Sequence, residues 1–149
     1  MDRLRDGSHT AQRQQLPNAL FVVASIEALP CELEDRADEV TVNFPWGSLL
    51  IGLVEGEPRV LGSLARLAKP GAPLHMLLSV EANDRAARLR PLTEEVLSSR
   101  APAYARAGLK MEACRVATPA EIVASGSSWA KRLGDGRRVY VLEVRRCSS

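Results

Sequence analysis

Aromatic residues make up only 4% of this 149-residue chain: two tryptophans, two tyrosines and two phenylalanines. The core must therefore be aliphatic, and any task that needs a flat ring falls on very few positions. Histidine is scarcer still, with His9 and His75 far apart, so no histidine-based metal site is expected. The three cysteines, Cys31, Cys114 and Cys147, are odd in number, widely spaced and without a Cys-x-x-Cys pair. That pattern argues against a disulfide framework or a zinc site, and a reducing cytosol suits it. No apolar run approaches the length of a membrane span, and residues 1–6 are too polar to open a signal peptide. The expectation is a soluble, cytoplasmic protein without metal.

What is present is a 46% apolar composition, enough for one domain with a real core. The net charge of +2 conceals an asymmetry. Residues 18–60 carry eight acids and two bases, a balance of −6, whereas residues 101–149 carry nine bases and four acids, a balance of +5. A basic C-terminal third suits a phosphate-rich partner such as nucleic acid, although scattered cations also serve simply as solvated surface.

Taken in order, residues 1–17 are polar, include Arg3, Arg5 and Arg13, and read as a basic linker or helix remnant. Residues 18–149 then read as the C-terminal portion of a single domain. Ala19-Leu20-Phe21-Val22-Val23-Ala24 is a continuous apolar run, the pattern of a central parallel strand covered on both faces. A short polar helix is expected over Glu32 to Arg36, and a buried strand over Val40 to Phe44, ended by Pro45. Gly47 to Val54 begins a helix that stops near Gly56. Another starts at Glu57-Pro58, with Val60, Leu61, Leu64 and Leu67 at helical spacing. Leu74 to Val80 is a third strand, in which His75 is an ordinary sheet residue.

Residues 81–91 read as a charged loop or short helix. Thr93 caps a helix over Glu94 to Ala107, kinked at Pro102 and stopped at Gly108. Leu109 to Ala113 alternates strictly, as a half-exposed antiparallel or edge strand does. Thr118-Pro119-Ala120-Glu121 has the cap, first-turn proline and third-position acid of a capping box. Val139 to Val144 is a last strand, which pairs with the alternating one and ends the sheet. The predicted fold is α/β with a mostly parallel sheet and a closing antiparallel strand pair.

The stretch Asn43-Phe44-Pro45-Trp46-Gly47-Ser48 places Trp46 at the carboxyl end of a strand, where open α/β sheets bind their ligands. An indole there either plugs the top of the core or offers a flat face to a planar ligand. The second tryptophan lies in Ser127-Ser128-Trp129-Ala130-Lys131-Arg132, directly before a basic cluster completed by Arg137 and Arg138. If both tryptophans rim one crevice, they clasp a base from its two faces while the cations hold neighbouring phosphates. Each stacking contact is worth ~1–3 kcal/mol, which offsets much of the cost of unstacking the base.

Four blocks carry a family resemblance: Asn18-Ala19-Leu20-Phe21-Val22, Glu27-Ala28-Leu29-Pro30, Phe44-Pro45-Trp46-Gly47-Ser48-Leu49-Leu50 and Ser127-Ser128-Trp129-Ala130-Lys131-Arg132-Leu133. In order and spacing they resemble the aminoglycoside-resistance methyltransferases of the kanamycin-apramycin type, which modify N1 of a decoding-site adenine (adenine 1408) in 16S rRNA. The resemblance runs from about residue 16 to the end. It implies a class I S-adenosylmethionine-dependent, Rossmann-like sheet, with S-adenosylmethionine as cofactor and 16S rRNA in the small ribosomal subunit as partner. It also implies a monomer in the full-length form.

By the same resemblance, Trp46 and Trp129 match the residues that stack on the flipped adenine, and Phe44 and Pro45 those whose main chain orients its amino group. Ser25, Ile26, Glu27, Asn43 and Ser48 fall where the family lines its cofactor pocket. Ser127, Lys131, Arg132, Arg137 and Arg138, with Arg3, Arg5 and Arg13, fall on surfaces that the family lays on RNA.

The chain departs from the family at its front. The glycine-rich cofactor loop and the acid ending the second strand lie in a region of about 60 residues, two βα units, that is missing. Gly134-Asp135-Gly136-Arg137 is no substitute, since a helix precedes it and a strand comes after it; it reads as a turn. The expectation is thus a methyltransferase domain lacking its first one or two βα units. The alternatives are a noncatalytic rRNA-binding fragment and a methyltransferase acting on a different base or small molecule.

Overall fold

A computed structural model describes residues 18–80, 92–128, 130 and 137–148. Its first strand, β1 (Val40–Asn43), is short and β-branched, and a turn leads from it into helix α1 (Gly47–Glu55). Gly56 ends that helix in a left-handed conformation, φ 74°, which glycine adopts without steric cost. Glu57 then caps α2 (Pro58–Leu67), its carboxylate accepting the Val60 N–H at 2.8 Å, with Pro58 in the first turn as expected. The helices cross closely: a β-carbon added at Gly52 would lie 2.5 Å from Val60 Cγ2.

Strand β2 (Pro73–Leu78) turns Leu74, Met76 and Leu78 inward and leaves His75 exposed. Helices α3 (Glu94–Ser98) and α4 (Ala101–Arg106) precede β3 (Leu109–Val116). A complete capping box starts α5 (Pro119–Ala124), and β4 (Tyr140–Arg146) is the last strand.

The sheet order is β1-β2-β4-β3. β1 and β2 are parallel, Val40 opposite Leu74 through Asn43 opposite Leu77, whereas β4 runs antiparallel to both β2 and β3. One face is covered by α1 to α4 over a core that includes Leu53, Leu61, Leu74, Met76, Tyr104 and Leu142. Tyr104 is fully buried and donates its hydroxyl to the Leu53 carbonyl at 3.0 Å. The opposite face carries a smaller cluster of Phe44, Leu77, Ala117, Val139 and Val141, against which Ile122 of α5 and Ala130 pack.

Several sequence expectations are corrected. The run 19–24 is not a strand: it joins no ladder, and Leu20 and Val23 are 82% and 75% exposed. A strand requires a hydrogen-bonding neighbour, and apolar content alone does not supply one. Only one of the three ladders is parallel, so the described sheet is not mostly parallel. β4 does not end the sheet; it lies between β2 and β3, and β3 takes the edge that its alternation suggests.

The helix expected over Glu94 to Ala107 is two helices, because Pro102 has no N–H for the carbonyl four residues back and the chain breaks at Ser99 and Arg100. The polar helix expected over Glu32 to Arg36 shrinks to a single 3-10 turn, Cys31–Leu33. The expected loop or helix at 81–91 lies outside the described residues.

Candidate active site

The strand registers bring several chain segments to one end of the sheet. Asn43 of β1 lies beside Leu77 of β2, Leu77 beside Val141 of β4, and Val141 beside Arg115 of β3. The turn after β1, Ser79 after β2, the approach to α5 and the entry to β4 therefore share that end. Ser79 Oγ donates to the Arg138 carbonyl at 3.0 Å, tying two of these segments together.

The turn after β1 is strained in a way that exposes its tryptophan. Phe44 holds φ 50°, a left-handed conformation that costs a non-glycine residue energy, and its N–H still donates to the Leu77 carbonyl at 2.9 Å. The Phe44 ring is buried in the second cluster, which anchors the turn. Pro45 then leads the chain away from the sheet, Gly47 supplies a second left-handed residue, φ 63°, and Trp46 stands 79% exposed. A large apolar ring held out at a strand end, on a turn that does not relax, is unexplained by packing.

Ser25, Glu27 and Ser48 come together beside that turn. Ser25 Oγ donates to the Glu27 carboxylate. The Glu27 carboxyl is held below the usual carboxylate range chiefly by this hydroxyl, then by its own backbone N–H and, more weakly, by the Ser48 hydroxyl; desolvation opposes them. Ser48 lies in the first turn of α1, whose N-terminal partial positive charge favours a nearby carboxylate. Ile26, in the 3-10 turn Ile26–Ala28, packs partly buried against the main core and fixes this segment. Asn43 is placed differently: it lines a groove of about 420 Å³ on the less covered sheet face with Thr41, His75, Leu77 and Glu121.

Among the RNA-facing candidates, Arg138 is exposed and Arg137 is half-buried. Ser127 accepts the Ala130 N–H at its carbonyl, 3.1 Å away, and Ala130 packs into the cluster that holds Phe44. Ala130 is thereby brought to the cluster that anchors the Trp46 turn. Trp129, Lys131, Arg132, Arg3, Arg5 and Arg13 lie outside the described residues. Part of the basic C-terminal third is engaged in ion pairs, Arg145 with Glu112 at 2.9 Å and Arg146 with Asp35, and does not face a partner freely. No group of three or more potential metal ligands occurs among the described residues.

Residues 1–148 match the family model described as NpmA: 16S rRNA (adenine(1408)-N(1))-methyltransferase. The chain belongs to this family. A 16S rRNA (adenine(1408)-N(1))-methyltransferase from Streptoalloteichus tenebrarius is 33% identical over 127 residues, which cover 82% of this chain and 58% of that protein. The Escherichia coli protein of the same name is 30% identical over 130 residues, covering 83% and 59%. Among solved structures, the antibiotic-resistance methyltransferase Kmr superposes with a TM-score of 0.76 at 37% identity, covering 99% of this chain and 72% of that one. A mutant of the Catenulisporales acidiphilia methyltransferase, solved with the cosubstrate SAM, superposes with a TM-score of 0.74 at 34% identity, covering 89% and 63%.

The chain thus spans somewhat under three fifths of the length of the curated methyltransferases just described. Within the part it does span, the four-stranded α/β sheet is that of the 16S rRNA (adenine(1408)-N(1))-methyltransferases. Sequence reasoning missed one part of the site, the packing of Ile122 and Ala130 on the cluster that holds Phe44. Ile122 comes directly after the capping-box acid, but nothing local reports which sheet face it meets.

Proposed function

We propose that this chain acts in transfer of a methyl group from S-adenosylmethionine to N1 of the decoding-site adenine of 16S rRNA in the small ribosomal subunit, conferring aminoglycoside resistance. The observation that carries the reading is the strained, Phe44-anchored turn, which holds Trp46 in the open beside the Ser25-Glu27-Ser48 cluster. The donor set fits the cofactor: an ionised carboxylate flanked by two hydroxyls at a helix N-terminus accepts hydroxyl or ammonium protons and rejects anions. When bound, S-adenosylmethionine supplies an electrophilic methyl group.

The protein's part is positioning. Adenine N1 carries an in-plane lone pair, so no side chain is required as general base, and alignment of the reacting atoms supplies the rate. Trp46 gives the extruded base a face on which to stack, and the Phe44 and Pro45 main chain orients its amino group. Ser25, Glu27 and Ser48 hold the cofactor and Ile26 fixes their segment, while Asn43, facing the groove on the other side of β1, stands apart from that cluster. On the family pattern, Trp129 provides the second stacking face. Ser127, Lys131, Arg132, Arg137, Arg138, Arg3, Arg5 and Arg13 meet the RNA, and the enzyme acts as a monomer.

Calorimetric titration of S-adenosylmethionine into the 149-residue chain, and then methyl transfer to small ribosomal subunits, tests the reading. The expected result is cofactor binding in both wild type and Trp46→Ala, with methyl transfer lost only in the variant. Well-folded protein that binds small subunits but not cofactor would instead establish a noncatalytic rRNA-binding role. The uncovered run 19–24 is the observation that favours that second outcome, since it leaves the sheet narrower than the run's apolarity implies.

A further inference from the structure

On the less covered sheet face near the site lies a three-way charge cluster. Arg115, near the end of β3, donates from Nη1 to Glu121 Oε2 at 2.9 Å and from Nη2 to Glu121 Oε1 at 2.6 Å, a bidentate fork. The same Nη2 reaches Glu143 Oε1 of β4 at 3.2 Å. Glu121 is simultaneously the acid of the α5 capping box, accepting from the Thr118 N–H at 2.8 Å and the Thr118 hydroxyl at 2.9 Å. One guanidinium therefore fixes the head of a six-residue helix to the sheet.

The rest of α5 and the segment after it are joined to that attachment by a series of contacts. Ile122 packs on the Phe44 cluster, and Ser125 Oγ donates to the Ile122 carbonyl at 2.7 Å while accepting the Ser127 N–H at 3.3 Å. Ser127 in turn receives the Ala130 N–H, and Ala130 returns to the Phe44 cluster. A helix this short does not hold its place by its own hydrogen bonds. We propose that Arg115 is a positioning residue for the base-holding site: by gripping Glu121 and Glu143 together it fixes the segment from α5 to Ala130 against the anchor of the Trp46 turn. This rests on the reading of Trp46 as the residue that holds the target base.

The test exploits the chain's having only two tryptophans. In a Trp46→Phe background the sole emitter is Trp129, adjacent to Ala130. Adding Arg115→Met is expected to lower its steady-state fluorescence anisotropy by about a third, and adding Arg115→Lys, which keeps the charge but not the planar fork, by less. In chains retaining Trp46, the same substitutions are expected to lower kcat for methyl transfer by about tenfold or more without changing KM for S-adenosylmethionine.

Unchanged anisotropy in both folded variants would overturn the positioning role, whatever the activity. If Arg115→Met does not fold, Glu143→Ala, which removes only the weaker arm, takes its place and is expected to lower anisotropy in the same direction; no change there would overturn the proposal equally. A drop in anisotropy in a chain whose wild type methylates no small subunits would leave Arg115 as the clamp and overturn the methyltransferase reading alone.

Discussion

Trp46 keeps 79% of its surface exposed, while Phe44, two residues earlier, keeps 8%. Substitutions at the two positions should therefore separate stability from recognition. Trp46→Ala removes few packing contacts, so unfolding in urea is expected to change by no more than about 0.5 kcal/mol. Loss of a stacking platform worth ~1–3 kcal/mol should nevertheless weaken capture of an extruded base by roughly 5- to 150-fold. Phe44→Ala empties the centre of the smaller cluster, and a loss of about 3 kcal/mol or more is expected. The two urea midpoints check both statements: a large shift for Trp46→Ala would mean that its ring packs against the fold after all. Phe44 also carries the left-handed backbone, so its ring and its φ serve one purpose, holding the turn in a conformation that a smaller residue would let relax.

At the scale of elements, α5 depends on a charge that acid removes. Glu121 is shifted from the ordinary glutamate range down to about 2, first by the Arg115 fork, then by the Thr118 backbone and hydroxyl. Because the folded-state value is depressed, its contribution to stability is complete above the unfolded value of about 4.5 and is lost progressively as pH falls toward 2. The difference in melting temperature between wild type and Glu121→Gln is expected to be constant from pH 7 to about 5.5 and to shrink below that. A difference that stays constant down to pH 3 would show that the ionised pair adds nothing.

The element boundaries explain which features are legible in the sequence. Thr118-Pro119 with Glu121, Glu57-Pro58 and Gly56 act within a few residues, and each falls where local chemistry places it. The tryptophan turn is legible for the same reason, since Pro45 and Gly47 leave a strand few continuations. Glu143, 28 residues from Arg115, meets it only through the β3-β4 register, and Ala130 reaches the cluster that holds Phe44 only because β4 inserts beside β2. Apolarity at 19–24 misleads because a strand is defined by its partner, which no local pattern encodes.

Across the whole molecule, the two sheet faces are unequally protected. Four helices cover one face, whereas among the described residues only α5 and the approach to Ala130 pack on the other. β1 pairs with β2 alone, so its second edge has no partner strand among those residues, and an unpaired edge is a template for pairing between chains. The exposed run of Leu20, Phe21, Val22 and Val23 adds apolar surface of the kind soluble monomers avoid. The 149-residue chain by itself is therefore expected to associate at concentrations of about 10 μM and above, with light scattering reporting species larger than a monomer. Leu20→Lys with Val23→Lys should reduce that association without lowering the melting temperature, because neither side chain contributes to the core and like charges on neighbouring copies repel. A soluble, sharply melting monomer at those concentrations, unaffected by the two lysines, would show that the run is already covered in solution. The surface that drives association would then have to be sought on the Thr41, His75 and Glu143 side of the sheet, where charge rather than apolar area faces outward.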